Sequence, residues 1–225
     1  MESLSTPIQP GFRTLLRRSL IAVVLCAAAV VICYYFVDRP VAFFVNRHRI
    51  PRFEELRWLT EPPPLVQSWA PLLLTLLIIR RAGGPWQRWQ HVLFLACVSL
   101  IVADQFRQSM GDIFGRYWPE TWHDNNPSLI GTGAYGFHPF EVGDDVGSFP
   151  SGHSARIAAF ATLFWLGLPR GRWLYVILAL PMLIALVGMD YHFVGDIIAG
   201  STLGALVGVW AARLSGIDQS AVIAP

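Results

Sequence analysis

The sequence predicts an all-α fold: a polytopic membrane bundle of about six transmembrane helices, with a site at the outer ends of spans three to six. Three observations predict it. Hydrophobic residues make up 54% of the chain and charged residues 14%, where soluble domains carry roughly 25% charged. Six apolar stretches approach the roughly 20 residues a helix needs to cross a bilayer. The basic residues, every one an arginine, are scattered between those stretches instead of forming one patch, and the net charge is only +2. That distribution excludes a nucleic-acid partner and makes the bilayer itself the partner.

Residues 1–19 form an N-terminal segment with Arg13, Arg17 and Arg18. The first span, 20–37, follows. This start also resembles a secretory signal with Ala27-Ala28-Ala29 as a cleavage site, but its apolar run is longer than a signal core, so an uncleaved anchor is expected. The connection after it interleaves Arg39, Arg47, Arg49, Arg52 and Arg57 with Phe43, Phe44, Phe53, Leu56 and Trp58. It reads as an interfacial amphipathic segment facing anionic headgroups or, equally, as a solvated loop. The second span, 65–79, is short and holds Pro71; it crosses either by borrowing Pro62-Pro63-Pro64 or by tilting little. Then come spans 91–114, 151–168, 173–189 and 193–214, with the longest polar loop at 115–148 and a tail at 215–225. Six spans within 20–214 is the count, five the nearest alternative. Cys26, Cys33 and Cys97 lie inside apolar stretches with no metal-ligand spacing and are expected to be packing residues without a disulfide.

If six spans alternate, the arginines at 13, 17 and 18, at 80, 81 and 88, at 170 and 172, and at 213 share one side. The positive-inside rule makes that side cytoplasmic, with both termini, although the five arginines of the first outer connection run against the rule. The loop 115–148 then faces the periplasm or cell exterior.

Two elements carry chemistry. In Phe149-Pro150-Ser151-Gly152-His153-Ser154 a proline suited to the first turn of a helix is followed by backbone N–H groups that no earlier carbonyl can accept, beside an imidazole. That is an anion site with a proton donor. In His192-Phe193-Val194-Gly195-Asp196 an imidazole and a carboxylate four residues apart share a face if the segment is helical. Two spans separate these elements, an even number, so both reach the same membrane face and can meet.

Pro150-Ser151-Gly152-His153 followed by His192-x-x-x-Asp196 resembles the type 2 phosphatidic acid phosphatase superfamily over roughly 105–208. The resemblance implies metal-independent hydrolysis of a membrane lipid phosphate, with no cofactor. His192 would be the nucleophile that forms a phosphohistidine, Asp196 its buttress, and His153 the general acid and then base. The N–H groups around Ser151 and Gly152 would hold the equatorial phosphate oxygens.

The chain departs from the family's first and third motifs. Aligning Phe114-Gly115-Arg116 and Pro119 puts Gly111 where a lysine belongs and Trp118 where an arginine belongs; Leu186 stands at the arginine position of the third motif. Arg116, Arg107 and Arg156 are the candidate replacements: Arg116 in the matched triplet, Arg107 one helical turn before Gly111, Arg156 one turn after His153. Arg107 alternatively pairs with Asp104, and Arg156 with Asp190 or Asp196. In the loop, Trp118, Trp122, Asn125, Asn126 and His138 are candidates for recognising a headgroup, with His123, Tyr135 and Phe137 beside them; a loop ordered only by its own turns is the alternative. Asp144 and Asp145 are placed to favour the charged form of His153.

The reading is a lipid phosphatase at the outer face of a bacterial inner membrane. Its alternatives are a lipid-to-lipid phosphotransferase and a non-catalytic lipid-binding or transport protein on the same scaffold. Haloperoxidase chemistry, known among soluble relatives, does not suit six apolar spans. No feature sets the oligomeric state or the headgroup.

Overall fold

Among the described residues, 10–122, 125–141 and 146–217, the computed structural model contains eight α-helices and no strand. The candidates His123, Asp144 and Asp145 lie outside the described residues. Helix α1 (Pro10–Ile32) runs through a π-helical segment, Cys33–Val37, into α2 (Asp38–Arg47). A 3-10 turn and α3 (Glu54–Thr60) complete the first connection. It is therefore helical, with Ala42 and Val45 buried and Phe43 and Phe44 exposed.

Helix α4 (Pro62–Ala82) begins on the proline run, where a missing N–H costs nothing because first-turn amides have no intrahelical acceptor. The second span thus borrows these residues and reaches 21 in length. Helix α5 (Arg88–Phe114) starts with the Gln90 side chain accepting from the Gln87 amide at 2.9 Å. It stops at Gly115, whose φ of +53° is left-handed. A Cβ there would stand 2.0 Å from the His138 carbonyl oxygen, so both conformation and space require glycine.

Helices α6 (Gly152–Gly167), α7 (Arg172–Gly188) and α8 (Val194–Ser215) complete the bundle. The runs Gly11–Arg47, Glu54–Ala82, Arg88–Phe114, Pro169–Gly188 and Val194–Ser215 are long and apolar enough to cross a membrane. Helix α6 has 16 residues, about 24 Å at 1.5 Å per residue, against a hydrocarbon core of about 30 Å. The expected six full spans are therefore five plus one short central helix. The N-terminus of α6 forms a wall of the cavity described below.

Close approach of α6 and α8 positions the two chemical elements. Gly200, Gly204 and Gly208 face α6: a Cβ on Gly200 would fall 2.3 Å from the Ser151 carbonyl oxygen, on Gly204 2.0 Å from that of Ala155, and on Gly208 2.8 Å from Thr162 Cβ. On α6, Ala155 and Ala159 are fully buried and pack with Ala103 of α5. Lipid tails are as apolar as side chains, so such contacts hold helices together by van der Waals fit between small residues. At the top of this seam the Ser151 amide donates to the Asp196 carbonyl at 3.0 Å. At the opposite end Arg88 Nε donates to the Gly167 carbonyl at 2.6 Å and Nη2 to that of Ile217 at 3.1 Å, fastening α5 to the ends of α6 and α8.

Candidate active site

Residues of the first connection, the 115–148 loop and the turn before α8 meet around one cavity of about 940 Å³. The three connections that span counting places on one face thus share a site. His153 and Gly152 on α6, His192 before α8, Arg107 and Gly111 on α5, Trp118, Trp122 and Asn126 of the loop, and Arg156 all line it.

The turn carrying His192 is set by the end of α7. Asp190 takes a left-handed conformation (φ +53°), and the Tyr191 and His192 amides both donate back to the Leu186 carbonyl, at 3.1 and 3.3 Å. The His192 side chain is almost wholly buried. Its Nδ1 lies 3.1 Å from the Ser148 carbonyl oxygen and 3.8 Å from Asp196 Oδ2. A carbonyl only accepts, so Nδ1 carries the proton and Nε2 keeps its lone pair. Burial lowers the imidazole's pKa below its ordinary value, opposed by Asp196 and reinforced by Arg107, so the ring is neutral near pH 7. The rings of His153 and His192 stand 6.1 Å apart between centroids, and Trp118 covers His192 at 5.2 Å.

Asp196 has no exposed surface. Its Oδ2 accepts from Ser148 Oγ at 2.6 Å and from the Phe193 amide at 3.0 Å, the latter a cap on the first turn of α8. Its Oδ1 pairs with Arg116.

Arg116 is not on the cavity. It is completely buried behind Asp196, with Nη2 on Asp38 Oδ2 at 2.6 Å and within 3.3 Å of the Tyr135 hydroxyl. Rings of Tyr34, Phe137 and Phe193 surround it. Burial opposes its charge, but Asp196 and Asp38 more than compensate and raise its pKa. The expectation of a phosphate-binding Arg116 fails on geometry, because its guanidinium is committed to two carboxylates and has no path to a ligand.

Arg107 does reach the cavity. Its Nη2 donates to the Gly147 carbonyl at 2.7 Å and Nε to that of Pro150 at 3.3 Å, leaving its other N–H groups for a ligand. The side chain passes over Gly152, where a Cβ would stand 3.2 Å from Nε. Arg156, not Arg107, pairs with Asp104, at 2.7 Å, and Asp104 also accepts from Gln67 and Gln108. Neither Asp190 nor Asp196 is the partner of Arg156.

Ser151 is buried off the cavity. Its amide is used by Asp196 and its hydroxyl oxygen caps the Ser154 amide at 3.4 Å, so the amides of Gly152 and His153 are the ones left for an anion at the start of α6. Asn126 lines the cavity while its Oδ1 accepts from the Trp122 amide at 2.8 Å. Asn125 and His138 do not line it; the His138 ring lies 4.2 Å from that of Tyr117, tilted by 42°, and faces Glu141. Among the described residues no group of three His, Cys, Asp or Glu side chains has the geometry of a metal site.

Residues 92–218 match the family model of the PAP2 superfamily. The chain belongs to this superfamily. It is 30% identical over 127 residues to the lipid A 1-phosphatase of Rhizobium johnstonii, covering 56% of this chain and 46% of that protein. With the lipid A 1-phosphatase of Rhizobium etli it shares 34% identity over 90 residues, 40% of this chain and 36% of that one. The matched stretch spans less than half the length of either relative. A transmembrane PAP2-type phosphatidylglycerolphosphate phosphatase from Bacillus subtilis aligns over 90% of this chain and 94% of its own, at 20% identity and a TM-score of 0.46.

Against the PAP2 pattern, the position of the missing lysine, Gly111, is a bare patch of cavity wall, and that of the first missing arginine, Trp118, places an indole beside His192. Leu186, at the third, is fully buried in the α7 core. Three arginines line the cavity instead: Arg107, Arg156 and, from α3, Arg57, beside Thr60 and the following Glu61. Sequence reasoning missed Arg57 as a site residue. Its only signal was an arginine in the amphipathic connection, which pointed equally to lipid headgroups.

Proposed function

We propose that this PAP2 protein removes a terminal phosphate from a membrane lipid phosphate through a phosphohistidine on His192, at the outer face of a bacterial inner membrane. The observation that carries the reading is the fixed tautomer of His192: Nδ1 is tied to the Ser148 carbonyl, with Asp196 behind it, which leaves Nε2 as a nucleophile beside a cavity that also holds His153. In the first step the Nε2 lone pair forms the P–N bond while the P–O bond to the lipid breaks, and His153 gives a proton to the leaving oxygen. Burial, then His192, Arg156 and Arg107, push the His153 imidazole down to about 3, so its acid form depends on the negative charge of a bound phosphate offsetting those cations. In the second, His153 takes a proton from water as the water attacks phosphorus, and the P–N bond breaks to return the pair to His192. Arg107, Arg156 and the amides of Gly152 and His153 face the charge that spreads over the equatorial oxygens. The arginine distribution supports the outer-face assignment.

A volume of about 940 Å³ is at the upper end for sites that enclose a drug-sized ligand, so the site has room for a headgroup as well as a phosphate. Trp118, Trp122 and Asn126 suit a sugar, which stacks on aromatic faces and bonds to amides. With relatives named lipid A 1-phosphatase, that lipid heads the substrate panel, followed by phosphatidate, phosphatidylglycerol phosphate and polyprenyl phosphates. Phosphate release is measured in detergent for wild type, His192→Ala and His153→Ala, with EDTA present. Release by wild type and loss in both variants is expected. Full turnover by His192→Ala refutes the mechanism, transfer of phosphate only to an added lipid acceptor identifies a phosphotransferase, and no release from any lipid leaves a binding protein.

A further inference from the structure

The buried ion pairs behind His192 join it to the first helix of the chain. Asp38, Arg116 and Asp196 have no exposed side-chain surface and lie in series, Asp38 Oδ2 on Arg116 Nη2 at 2.6 Å and Arg116 Nη1 on Asp196 Oδ1. The second oxygen of Asp38 accepts from the Gly195 amide at 3.0 Å, one residue from Asp196. Gly195 is what lets the pair fit: a Cβ there would stand 3.1 Å from Asp38 Oδ2 and 3.4 Å from Arg116 Nη1.

The backbone of the first helix is adapted to this contact. Cys33 and Asp38 are both buried, yet residues five apart on an α-helix point about 140° away from each other. The π segment between them, closed by the Asp38 amide on the Cys33 carbonyl, widens the turn and brings both to the bundle side. Such π segments inside helices occur frequently at functional sites.

The charges count to a definite sum. One guanidinium stands between two carboxylates, so the series carries a net charge of minus one, with no exposed side-chain surface and aromatic rings around the guanidinium. Without Asp38, Arg116 would cancel Asp196, and nothing of opposite sign would face the imidazole when its ring becomes positive on forming the P–N bond. We propose that Asp38 is a positioning residue for catalysis: it occupies Arg116 so that the negative charge of Asp196 remains available to His192 during phosphoryl transfer. The inference rests on the reading of His192 as nucleophile. The other charged group acting on His192 is Arg107 on α5, which disfavours its positive form, as does a protonated His153 on α6, whose ring lies 6.1 Å away; Asp196 is the acceptor that favours it.

The test compares wild type, His192→Ala, Asp38→Asn and the double variant Asp38→Asn with Arg116→Gln, measuring phosphoenzyme formation by rapid quench and kcat/KM against pH. Asp38→Asn, with a series charge of zero, should form phosphoenzyme tenfold or more slowly. The acid limb of its profile should move to lower pH by about half a unit or more, since an imidazolium without an opposing charge loses its proton earlier. The double variant restores a charge of minus one and should return the limb to the wild-type position. A purely structural role for Asp38 would lower the rate at every pH in proportion to the folded fraction and leave the limb in place, which overturns the proposal. If Asp38→Asn does not fold, the folded fraction of Arg116→Gln, with a series charge of minus two, is compared with the double variant at minus one: an acid limb at higher pH in Arg116→Gln supports the inference, and coincident limbs overturn it. Failure of the parent reading looks different, as no phosphoenzyme in wild type or full turnover in His192→Ala.

Discussion

Substituting Gly204 by alanine tests whether the α6–α8 seam sets the geometry of the site. The added methyl would stand 2.0 Å from the Ala155 carbonyl oxygen and 2.8 Å from the Ala159 amide nitrogen. Both are backbone atoms of α6, so no side chain can swing aside. Restoring an ordinary contact of about 3.5 Å requires α6 and α8 to separate by about 1 Å or more. Overpacking of this kind costs about 1–3 kcal/mol. It also moves His153, on α6, relative to His192 and Asp196, which are fixed at the start of α8. A misplacement of about 1 Å in a reacting constellation lowers the rate by about 100-fold. The assay is phosphate release by the purified variant beside its thermal unfolding in the same detergent, with turnover read well below the unfolding temperature. The expected result is a reduced midpoint and a kcat down by one to two orders of magnitude with no residue of the cavity changed. A variant with wild-type midpoint and kcat would refute the claim that close approach at this seam places the two histidines.

Further outcomes follow from the charges. Burial first, and Glu120 second, push the Asp190 carboxyl up to about 7. The unfolded chain therefore binds fewer protons than the folded one between pH 4 and 7, and stability falls as pH rises through that window, by up to roughly 4 kcal/mol. Asp190→Asn should remove this slope in unfolding midpoints taken at pH 5 and pH 8. Arg116→Ala leaves two buried carboxylates without their cation and should cost about 3–5 kcal/mol, seen as poor recovery of folded protein with no gain in KM for what survives. Arg107→Ala should lower kcat/KM by about 100-fold, as removal of a charged donor aimed at developing charge does. Arg57→Ala, at the exposed rim, should mainly raise KM by about fivefold; an equal fall in kcat would instead place Arg57 on the transferring phosphoryl group.

What was legible beforehand follows the range over which each signal acts. Hydropathy is local, and the helix ends fall within a few residues of the apolar limits for α5 to α8. Borrowing the proline run at 62–64 is one of two readings of the second span, and the apolar limit of the third falls at Phe114; the structure adds that Gly115 closes α5 in a left-handed conformation. The pairing of His153 with His192 was legible through parity alone. The partners of the arginines were not. Arg116 sits in a matched triplet beside the cavity-lining Trp118, yet its carboxylates come from positions 38 and 196; nothing in its neighbourhood marks them. Asn125 and Asn126 are adjacent and chemically identical, and only the loop's path turns one to the cavity and the other away.

The sequence by itself determined that this is an all-α integral membrane protein, that two histidines and an aspartate reach one end of the bundle, and that the family's three motif cations are missing. These are consequences of composition, of local periodicity and of counting spans. Only the tertiary structure decided which arginines line the cavity. Close packing of α6 on the glycines of α8 draws the site together, the fold of the first connection carries Arg57 to the rim, and the π segment turns Asp38 inward to take Arg116 away from the cavity. Each is a contact between residues far apart in the chain, and its partner is chosen by the shape that the packed helices leave.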